Sequence, residues 1–187
     1  MIKQEIRVIG IDDSPFNKFK EKEALAIGVV MRGGKCIDGI LSTKVEVDGN
    51  DATTKLAEMI NKSKFRLQLR CLFLDGIALA GFNVVDINEL SKKTGIPVVT
   101  IIRRKPDVAR IKEVLNKLNQ KGKIVLLDKA GSVVKIGHIY AQPVGINIEK
   151  LKEILKLVCT RSNIPEPLRL AHLIASGVVK GESRGRS

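Results

Sequence analysis

Aromatic residues are scarce in this sequence: they make up 3% of 187 residues, with five Phe, one Tyr and no Trp. Single-strand binders stack bases on exposed aromatic side chains, so the scarcity argues against an RNA-recognition-motif or OB-fold binder. Histidine occurs only twice, and the three cysteines, Cys36, Cys71 and Cys159, lie far apart without a CxxC spacing. A structural zinc site is therefore not expected, and the thiols are expected to be reduced and buried.

Long hydrophobic runs are also missing. No apolar run reaches the length of a membrane-spanning helix, and the N-terminus lacks the pattern of a signal peptide. We therefore expect a cytoplasmic protein without membrane contact, acting as a monomer or a weak dimer. Because there is no internal repeat or long linker, residues 1–187 are expected to form a single domain, with 179–187 as a flexible tail.

Acidic residues are few relative to basic ones. Lys and Arg outnumber Asp and Glu by 33 to 20, which gives a formal net charge of +13. Such an excess favours a polyanionic partner, with DNA as the expected partner and RNA as the alternative. A second explanation is the Lys-rich helix surface of a heat-adapted protein.

The hydrophobic pattern alternates between short strands and amphipathic helices. Two strands flank the Gly-rich connection Arg32-Gly33-Gly34-Lys35 and are expected to pair as a hairpin. Predicted strands cover 6–11, 24–31, 36–47, 69–74, 97–102, 124–127, 132–136 and 138–142; predicted helices cover 52–61, 84–94, about 111–122, 148–159 and 167–176. This order predicts an α/β layer fold with a mixed sheet.

Carboxylates occur where three of the predicted strands end. They are Asp12 with Asp13, Asp48 with Asp51, and Asp75. Strand ends are where α/β folds build sites, and such carboxylates can hold Mg²⁺ or Mn²⁺ for phosphate chemistry. The alternative is structural, since Asp is common in turns and Asp51 can cap the following helix.

The C-terminal part of the chain carries the most specific motif. Residues 159–172, which contain Pro165-Glu166-Pro167, closely resemble the C-terminal signature of endonuclease V. Further similarities keep the family order at 8–12, 74–76, 97–103 and 143–155. Together with 47–53, the pattern resembles an archaeal sister family linked to deoxyuridine-directed cleavage. The resemblance implies a ribonuclease H-like mixed sheet, with three antiparallel strands followed by parallel strands and flanked by helices.

The resemblance also implies roles for individual residues. Asp12 and Asp75 match metal-ligand positions, and His172 matches a position that assists the metal or the water. Arg103 stands where the family has a Lys near the scissile phosphate, and Arg104 beside it is expected to contact the substrate. The cofactor implied is Mg²⁺ or Mn²⁺. If Asp12 and Asp75 share a metal, their carboxylates should lie within about 10 Å of each other.

The second carboxylate of the family's site has no clear counterpart. Endonuclease V has an Arg-Glu pair at the end of its third strand, where this chain has Glu46, Asp48 and Asp51. We favour Asp51 as a catalytic metal ligand, with Asp48 next. The choice among the three stays open at this point.

A base pocket is expected at Gly76–Asn83 and at the loop around Gly39. Gly39, Gly76 and Gly81 have no side chains and would let the backbone approach a base edge. Phe82 could stack on the base, although a core position is more common for Phe. Asn83 offers an amide that suits a uracil-like edge, although capping the next helix is an alternative role.

Two family features are missing. The Pro-Tyr-x-Pro wedge that probes the lesion in endonuclease V is replaced by 36–39, and the His that follows Asp-Gly is absent. Hypoxanthine specificity is therefore not implied. We predict a metal-dependent endonuclease that hydrolyses a phosphodiester bond near a deaminated base in DNA repair, with deoxyuridine favoured over deoxyinosine. The alternative is a non-catalytic ribonuclease H-like nucleic-acid-binding or adaptor protein.

Overall fold

A seven-stranded mixed sheet forms the centre of the computed structural model, which describes residues 2–183. The strands of this sheet are β1 (Arg7–Asp13), β2 (Glu23–Arg32), β3 (Cys36–Glu46), β4 (Leu69–Asp75), β7 (Val98–Ile102), β8 (Val134–Ile136) and β9 (Ile139–Val144). They lie in the order β3-β2-β1-β4-β7-β9-β8. A separate two-stranded ribbon consists of β5 (Ala78–Leu79) and β6 (Asn83–Val84).

Helices cover both faces of this sheet. They are α1 (Ala52–Asn61), α2 (Ile87–Thr94), α3 (Val108–Lys117), α4 (Lys121–Lys129), α5 (Ile148–Val158) and α6 (Glu166–Lys180), with a single 3-10 turn at Arg66–Gln68. The apolar sides of α1 and α2 pack on one face, whereas those of α5 and α6 pack on the other. The predicted α/β layer fold with a mixed sheet is confirmed.

Strand directions agree with the expectation at the centre of the sheet and differ at one edge. Strands β1, β2 and β3 are antiparallel, β4 pairs parallel with β1, and β7 pairs parallel with β4. Strand β9 is antiparallel to β7, so the expectation that all later strands run parallel is wrong there. The reason is local. Strands β8 and β9 form a hairpin around Gly137, which has a φ of 59°. The two strands of a hairpin run in opposite directions, so only one of them can run parallel to β7, and β9, which pairs with β7, is the antiparallel one.

Two predicted elements need correction. The run 124–127 was expected to be a strand, but it lies inside α4, because a short apolar run does not distinguish a strand from a helix. The helix expected from 84 begins instead at Ile87. The Asp86 side chain accepts hydrogen bonds from the backbone N–H groups of Asn88 and Glu89 and so caps the helix there, while Asn83–Val84 pairs as β6.

The C-terminal helix continues further than predicted. Helix α6 extends to Lys180, where Gly181 ends it in a left-handed conformation with a φ of 78°. Residues 184–187 of the expected tail lie outside the described residues. Within residues 2–183, no helix combines the length and apolar character needed to cross a membrane.

Gly10 allows α6 to lie directly against β1. A Cβ atom on Gly10 would lie 2.3 Å from the backbone N of Leu168 and 2.5 Å from the carbonyl carbon of Pro167. These are backbone atoms of the first turn of α6, so the helix has to move if Gly10 gains a side chain. The close approach fixes the position of α6 over the sheet.

We expect Gly10→Ala to destabilise the protein by about 1–3 kcal/mol, because the added methyl group overlaps the α6 backbone. The measurement is urea unfolding followed by circular dichroism. The matched control is Gly122→Ala in α4, where an added Cβ meets no atom within 4 Å. This control should be neutral or stabilising by up to about 1 kcal/mol. Equal midpoints for the two variants would contradict the close approach.

Candidate metal centre

Two carboxylates meet at the C-terminal ends of the central strands β1 and β4, because these strands run parallel. Ile11 pairs with Leu74, so the residues that follow, Asp12 and Asp75, lie side by side. Together with His172 of α6 they form a group whose ligating atoms all lie within 4.8 Å of one another. The expected separation of less than about 10 Å between the two carboxylates is confirmed.

His172 is brought to this group by the contact between α6 and β1. Its Nδ1 atom lies 2.8 Å from Oδ2 of Asp12, whose side chain is nearly buried. The other carboxylate oxygen of Asp12 accepts a hydrogen bond of 2.9 Å from the backbone N–H of Asp13. The hydrogen bond with Asp12 raises the pKa of His172, which outweighs the opposing effect of partial burial.

Asp75 has an arginine as its partner. The Nη1 group of Arg103, just beyond the end of β7, donates to Oδ2 of Asp75 at 3.2 Å. Burial raises the pKa of Asp75, and the neighbouring carboxylate of Asp12 raises it further, while Arg103 opposes both. The site is thus a carboxylate pair, with Asp12 buried and Asp75 half-buried, flanked by the imidazole of His172 and the guanidinium of Arg103.

Asp13 lies next to the group but on the opposite face of β1. Its Oδ2 accepts a hydrogen bond of 3.0 Å from the backbone N–H of Ala80. Burial and the negative charge of Asp12 raise the pKa of Asp13 to about 6. Although the sequence analysis noted the Asp12–Asp13 pair, it assigned no role to Asp13. Strand alternation is the signal that separates the two side chains.

The donor set suits a hard or borderline divalent cation. Two carboxylate oxygens and one imidazole nitrogen converge, and no thiolate belongs to the group. Carboxylates favour Mg²⁺ and Mn²⁺, and an imidazole is tolerated better by Mn²⁺ and related metals. The like charges of Asp12 and Asp75 at close range are a further fit, because a cation between them would relieve their repulsion.

The other acidic candidates do not join this group. Asp51 uses Oδ1 to accept hydrogen bonds from the backbone of Glu46 at 3.1 Å and from Nδ2 of Asn83 at 2.7 Å. Asp48 accepts from the backbone N–H of Phe82 at 2.7 Å. Among the described residues, the expected second carboxylate, Asp51 or Asp48, is not brought into this group. Asp51, Asp48 and Glu46 lie outside the group of converging ligands found among residues 2–183, and Asp51 and Asp48 hold loops together.

Asn83 is a structural residue rather than an exposed reader of bases. Its side chain is fully buried, its Nδ2 donates to Asp51 and to the carbonyl of Glu46 at 2.9 Å, and its Oδ1 accepts from the N–H of Ala52 at 3.1 Å. It therefore caps α1, not the helix that follows it in sequence. The expectation of a base contact from this amide is corrected for that reason.

Gly39 also lies away from the expected pocket. It is on the edge strand β3 opposite Val30, and a Cβ there would lie 2.5 Å from the Phe65 ring. This packing accounts for the glycine without a substrate contact, and the assignment of Gly39 to substrate binding stays a prediction.

The remaining residues predicted to contact the substrate lie at the same end of the sheet as the carboxylates. Gly76 follows Asp75 with a φ of 79° and open space around it. Gly81 has a φ of 85° and is closed off by Asp48, whose Oδ1 would lie 2.4 Å from an added Cβ. Phe82 is half-buried, and Arg104 is exposed beside Arg103. Their contact with a substrate stays a prediction.

Two further polar contacts of buried side chains were not predicted from the sequence. Lys123 of α4 is 4% exposed and donates to the carbonyl oxygen of Asp48 at 2.7 Å. The guanidinium of Arg169 donates to both carboxylate oxygens of buried Glu166, at 2.9 and 2.6 Å. The i, i+3 spacing of Glu166 and Arg169 is a signal that could have predicted the second contact.

The sheet order, the strand directions and the paired carboxylates define a ribonuclease H-like protein. Endonuclease V of Ciona intestinalis, solved in complex with DNA containing an inosine, has the same fold, with a TM-score of 0.62 and 16% identity. The alignment covers 94% of this chain and 86% of that one. At this identity the likeness concerns the fold alone.

The chain belongs to the endonuclease dU family, whose model matches residues 4–179. It is 48% identical to a UPF0215 protein of Methanothermobacter thermautotrophicus over 98% of this chain and 93% of that protein. A crystal structure of a protein of unknown function from Archaeoglobus fulgidus superposes with a TM-score of 0.86 and 40% identity. That alignment covers 92% of this chain and 97% of the solved one.

We expect Asn83→Ala to lower the free energy of unfolding by about 1–3 kcal/mol, because it leaves the buried N–H of Ala52 without an acceptor and removes the amide donor to Asp51. Urea unfolding measures the change. The control is Asn116→Ala on the exposed side of α3, which truncates an Asn side chain that is in contact with solvent. It should change stability by less than about 0.5 kcal/mol. A matched loss in both variants would refute the structural role of Asn83.

Proposed function

We propose that this chain is a metal-dependent endonuclease that hydrolyses a phosphodiester bond beside a deaminated base in DNA, as part of repair. The observation that carries the proposal is the convergence of Asp12, Asp75 and His172 within 4.8 Å at the end of the central strands. Membership of the endonuclease dU family supports it independently. The net charge of +13 suits a polyanionic substrate.

Asp12 and Asp75 would hold the cation, with His172 within reach of it. A divalent ion there would supply Lewis-acid chemistry, activating water and neutralising charge that develops on the phosphate. His172, held by Asp12 at 2.8 Å, would position the attacking water or take its proton. The hydrogen bond fixes the orientation of the imidazole, which reduces the reorganisation needed when the substrate binds.

Arg103 would stabilise the phosphate. In the structure its guanidinium is 3.2 Å from Asp75 and its side chain is 42% exposed, so it can reach solvent on one side. A cation at Asp75 would satisfy the carboxylate and leave the guanidinium to donate to phosphate oxygens. Arg104, exposed in the next position, would add a second charge along the bound strand.

The substrate proposed is a strand containing deoxyuridine, in preference to deoxyinosine. The family description supports this order, and so does the lack of the lesion-probing wedge of endonuclease V at 36–39. RNA is the alternative nucleic acid. We further propose that the protein is cytoplasmic and acts as a monomer or a weak dimer.

Substitution of the carboxylates tests the chemistry. Asp12→Asn and Asp75→Asn should lower cleavage by at least about 1000-fold while leaving strand binding measurable, because the cation loses a charged ligand but the basic surface is unchanged. The measurement is single-turnover cleavage with Mg²⁺ or Mn²⁺, together with calorimetric titration of Mn²⁺. A chelator should abolish cleavage by the wild-type protein.

Asp51→Asn is the matched control for these variants. An Asn side chain can still accept the hydrogen bonds of Glu46 and Asn83 through Oδ1, and Asp51 lies outside the converging group. Cleavage by Asp51→Asn should stay within about 10-fold of wild type. Full activity of Asp12→Asn or Asp75→Asn would refute the assignment. Binding without any metal-dependent cleavage by the wild type would favour the non-catalytic adaptor.

A panel of otherwise identical strands tests the substrate. Duplexes and single strands carrying uracil, hypoxanthine, xanthine or no lesion are incubated with the protein and Mg²⁺ or Mn²⁺. We expect uracil-containing strands to be cut most rapidly. Faster cutting at hypoxanthine would reverse the proposed order, and equal cutting of the undamaged strand would exclude recognition of a lesion.

A further inference from the structure

Among residues 2–183, Phe19 is the only exposed aromatic side chain, in a protein that has few of them. Five of the chain's six aromatic residues, all within the described residues, are buried or half-buried; they are Phe16, Phe65, Phe73, Phe82 and Tyr140. The Phe19 side chain is 87% exposed, more than any other large apolar residue described. Exposure of a whole benzyl group in water is unfavourable by about 2 kcal/mol relative to burial, so a bound partner would cover it favourably.

The ring is presented by an ordered turn rather than by a loose loop. Oδ1 of Asn17 accepts a hydrogen bond from the backbone N–H of Phe19 at 3.0 Å. The carbonyl of Asn17 accepts from the N–H groups of Lys20 and Glu21 at 3.0 and 2.8 Å. These three bonds fix the backbone on both sides of Phe19, so little conformational freedom is lost there on binding.

The turn follows the C-terminal end of β1, the end of the sheet where the carboxylates converge. It connects the end of β1, which carries Asp12, to the start of β2. The backbone N–H of Ser14 donates to the carbonyl of Leu25 at 2.7 Å, which continues the pairing of β1 and β2 up to the turn. The turn also borders a cleft of about 600 Å³, lined by the turn itself and by the loop after β3 at Asp48.

Lysines lie in the same segment as the ring, and one of them contacts it. Lys18 places its Nζ 5.0 Å from the centre of the Phe19 ring, and Lys20 and Lys22 follow in the same segment. Two acidic residues, Glu21 and Glu23, also lie there, and Glu23 is paired with Lys44 at 3.6 Å. An aromatic ring next to flexible ammonium groups suits a strand whose bases stack while its phosphates bind the lysines.

From these contacts we infer that Phe19 stacks on a nucleobase of the bound strand, next to the carboxylate site. The inference rests on the proposed function only in taking a nucleic acid as the partner. It assigns a base contact to a turn that has no part in the chemistry. A protein partner or a second copy of this chain would need a broader apolar surface around Phe19, whereas its sequence neighbours are charged or polar.

A tryptophan reporter tests the stacking directly, because the chain contains no Trp. Phe19→Trp introduces a single indole whose fluorescence should be quenched when an oligonucleotide binds in the presence of chelator. The matched control is Leu67→Trp. Leu67 is 77% exposed and precedes the start of β4, whereas Asp75 lies at the end of that strand. The indole of Leu67→Trp should therefore stay bright.

An abasic oligonucleotide of equal length separates base stacking from phosphate binding. It should bind through the lysines yet leave the indole of Phe19→Trp unquenched. In parallel, Phe19→Ala should weaken binding of the base-containing strand by about 5- to 150-fold, the range for loss of one stacked base, while Leu67→Ala should not.

Three results would overturn the inference: equal quenching by the abasic strand, unchanged affinity of Phe19→Ala, or self-association of the wild type that Phe19→Ala abolishes. Because all strands are bound with chelator present, the result does not depend on cleavage. If quenching is specific for Phe19→Trp but the wild type cuts no strand, only the proposed chemistry fails. If the wild type cuts and the indole stays bright, only the stacking contact fails.

Discussion

The parallel pairing of β1 with β4 is the contact on which the site depends. It places Asp12 beside Asp75 at the ends of two central strands, where both are largely removed from water. Two carboxylates in such a position repel each other, and a fold keeps them together only if cations offset the repulsion. Arg103 does this at 3.2 Å from Asp75, and on the opposite flank the imidazole of His172 is hydrogen-bonded with Asp12 at 2.8 Å.

The position of His172 follows from a second constraint, the close approach of α6 to Gly10. Asp12 lies two residues beyond Gly10 on the same face of the strand, about 7 Å further along it. His172 lies four residues beyond Leu168 on the same face of the helix, about 6 Å further along it. Because the strand and the helix advance by similar amounts from their contact, the imidazole comes to lie opposite the carboxylate.

These two constraints explain why part of the site could be predicted from the sequence. Asp12 and Asp75 end apolar strands, so strand periodicity and the family motifs both indicate them, and the Pro-Glu-Pro block marks the start of the helix that carries His172. The direction of β9 depends on a partner distant in sequence, because it is set by which strand of the β8–β9 hairpin pairs with β7. Whether 124–127 forms a helix or a strand is not indicated by its own pattern. A short apolar run such as 124–127 contains no periodicity that separates the two states.

The roles of Asp48, Asp51 and Asn83 could not be predicted because the groups that they bind are not evident from the sequence. Their partners are backbone groups on other loops, among them Ala52, Phe82 and Glu46, and the carbonyl of Asp48 is held by buried Lys123 of α4. A polar group that satisfies a buried loop cannot at the same time bind a base without leaving that loop group unpaired. Substrate contacts are therefore proposed for the backbone at Gly76 and for exposed side chains outside this network. Arg104 and the ring of Phe19 are of that kind, and neither is needed to hold the loops together.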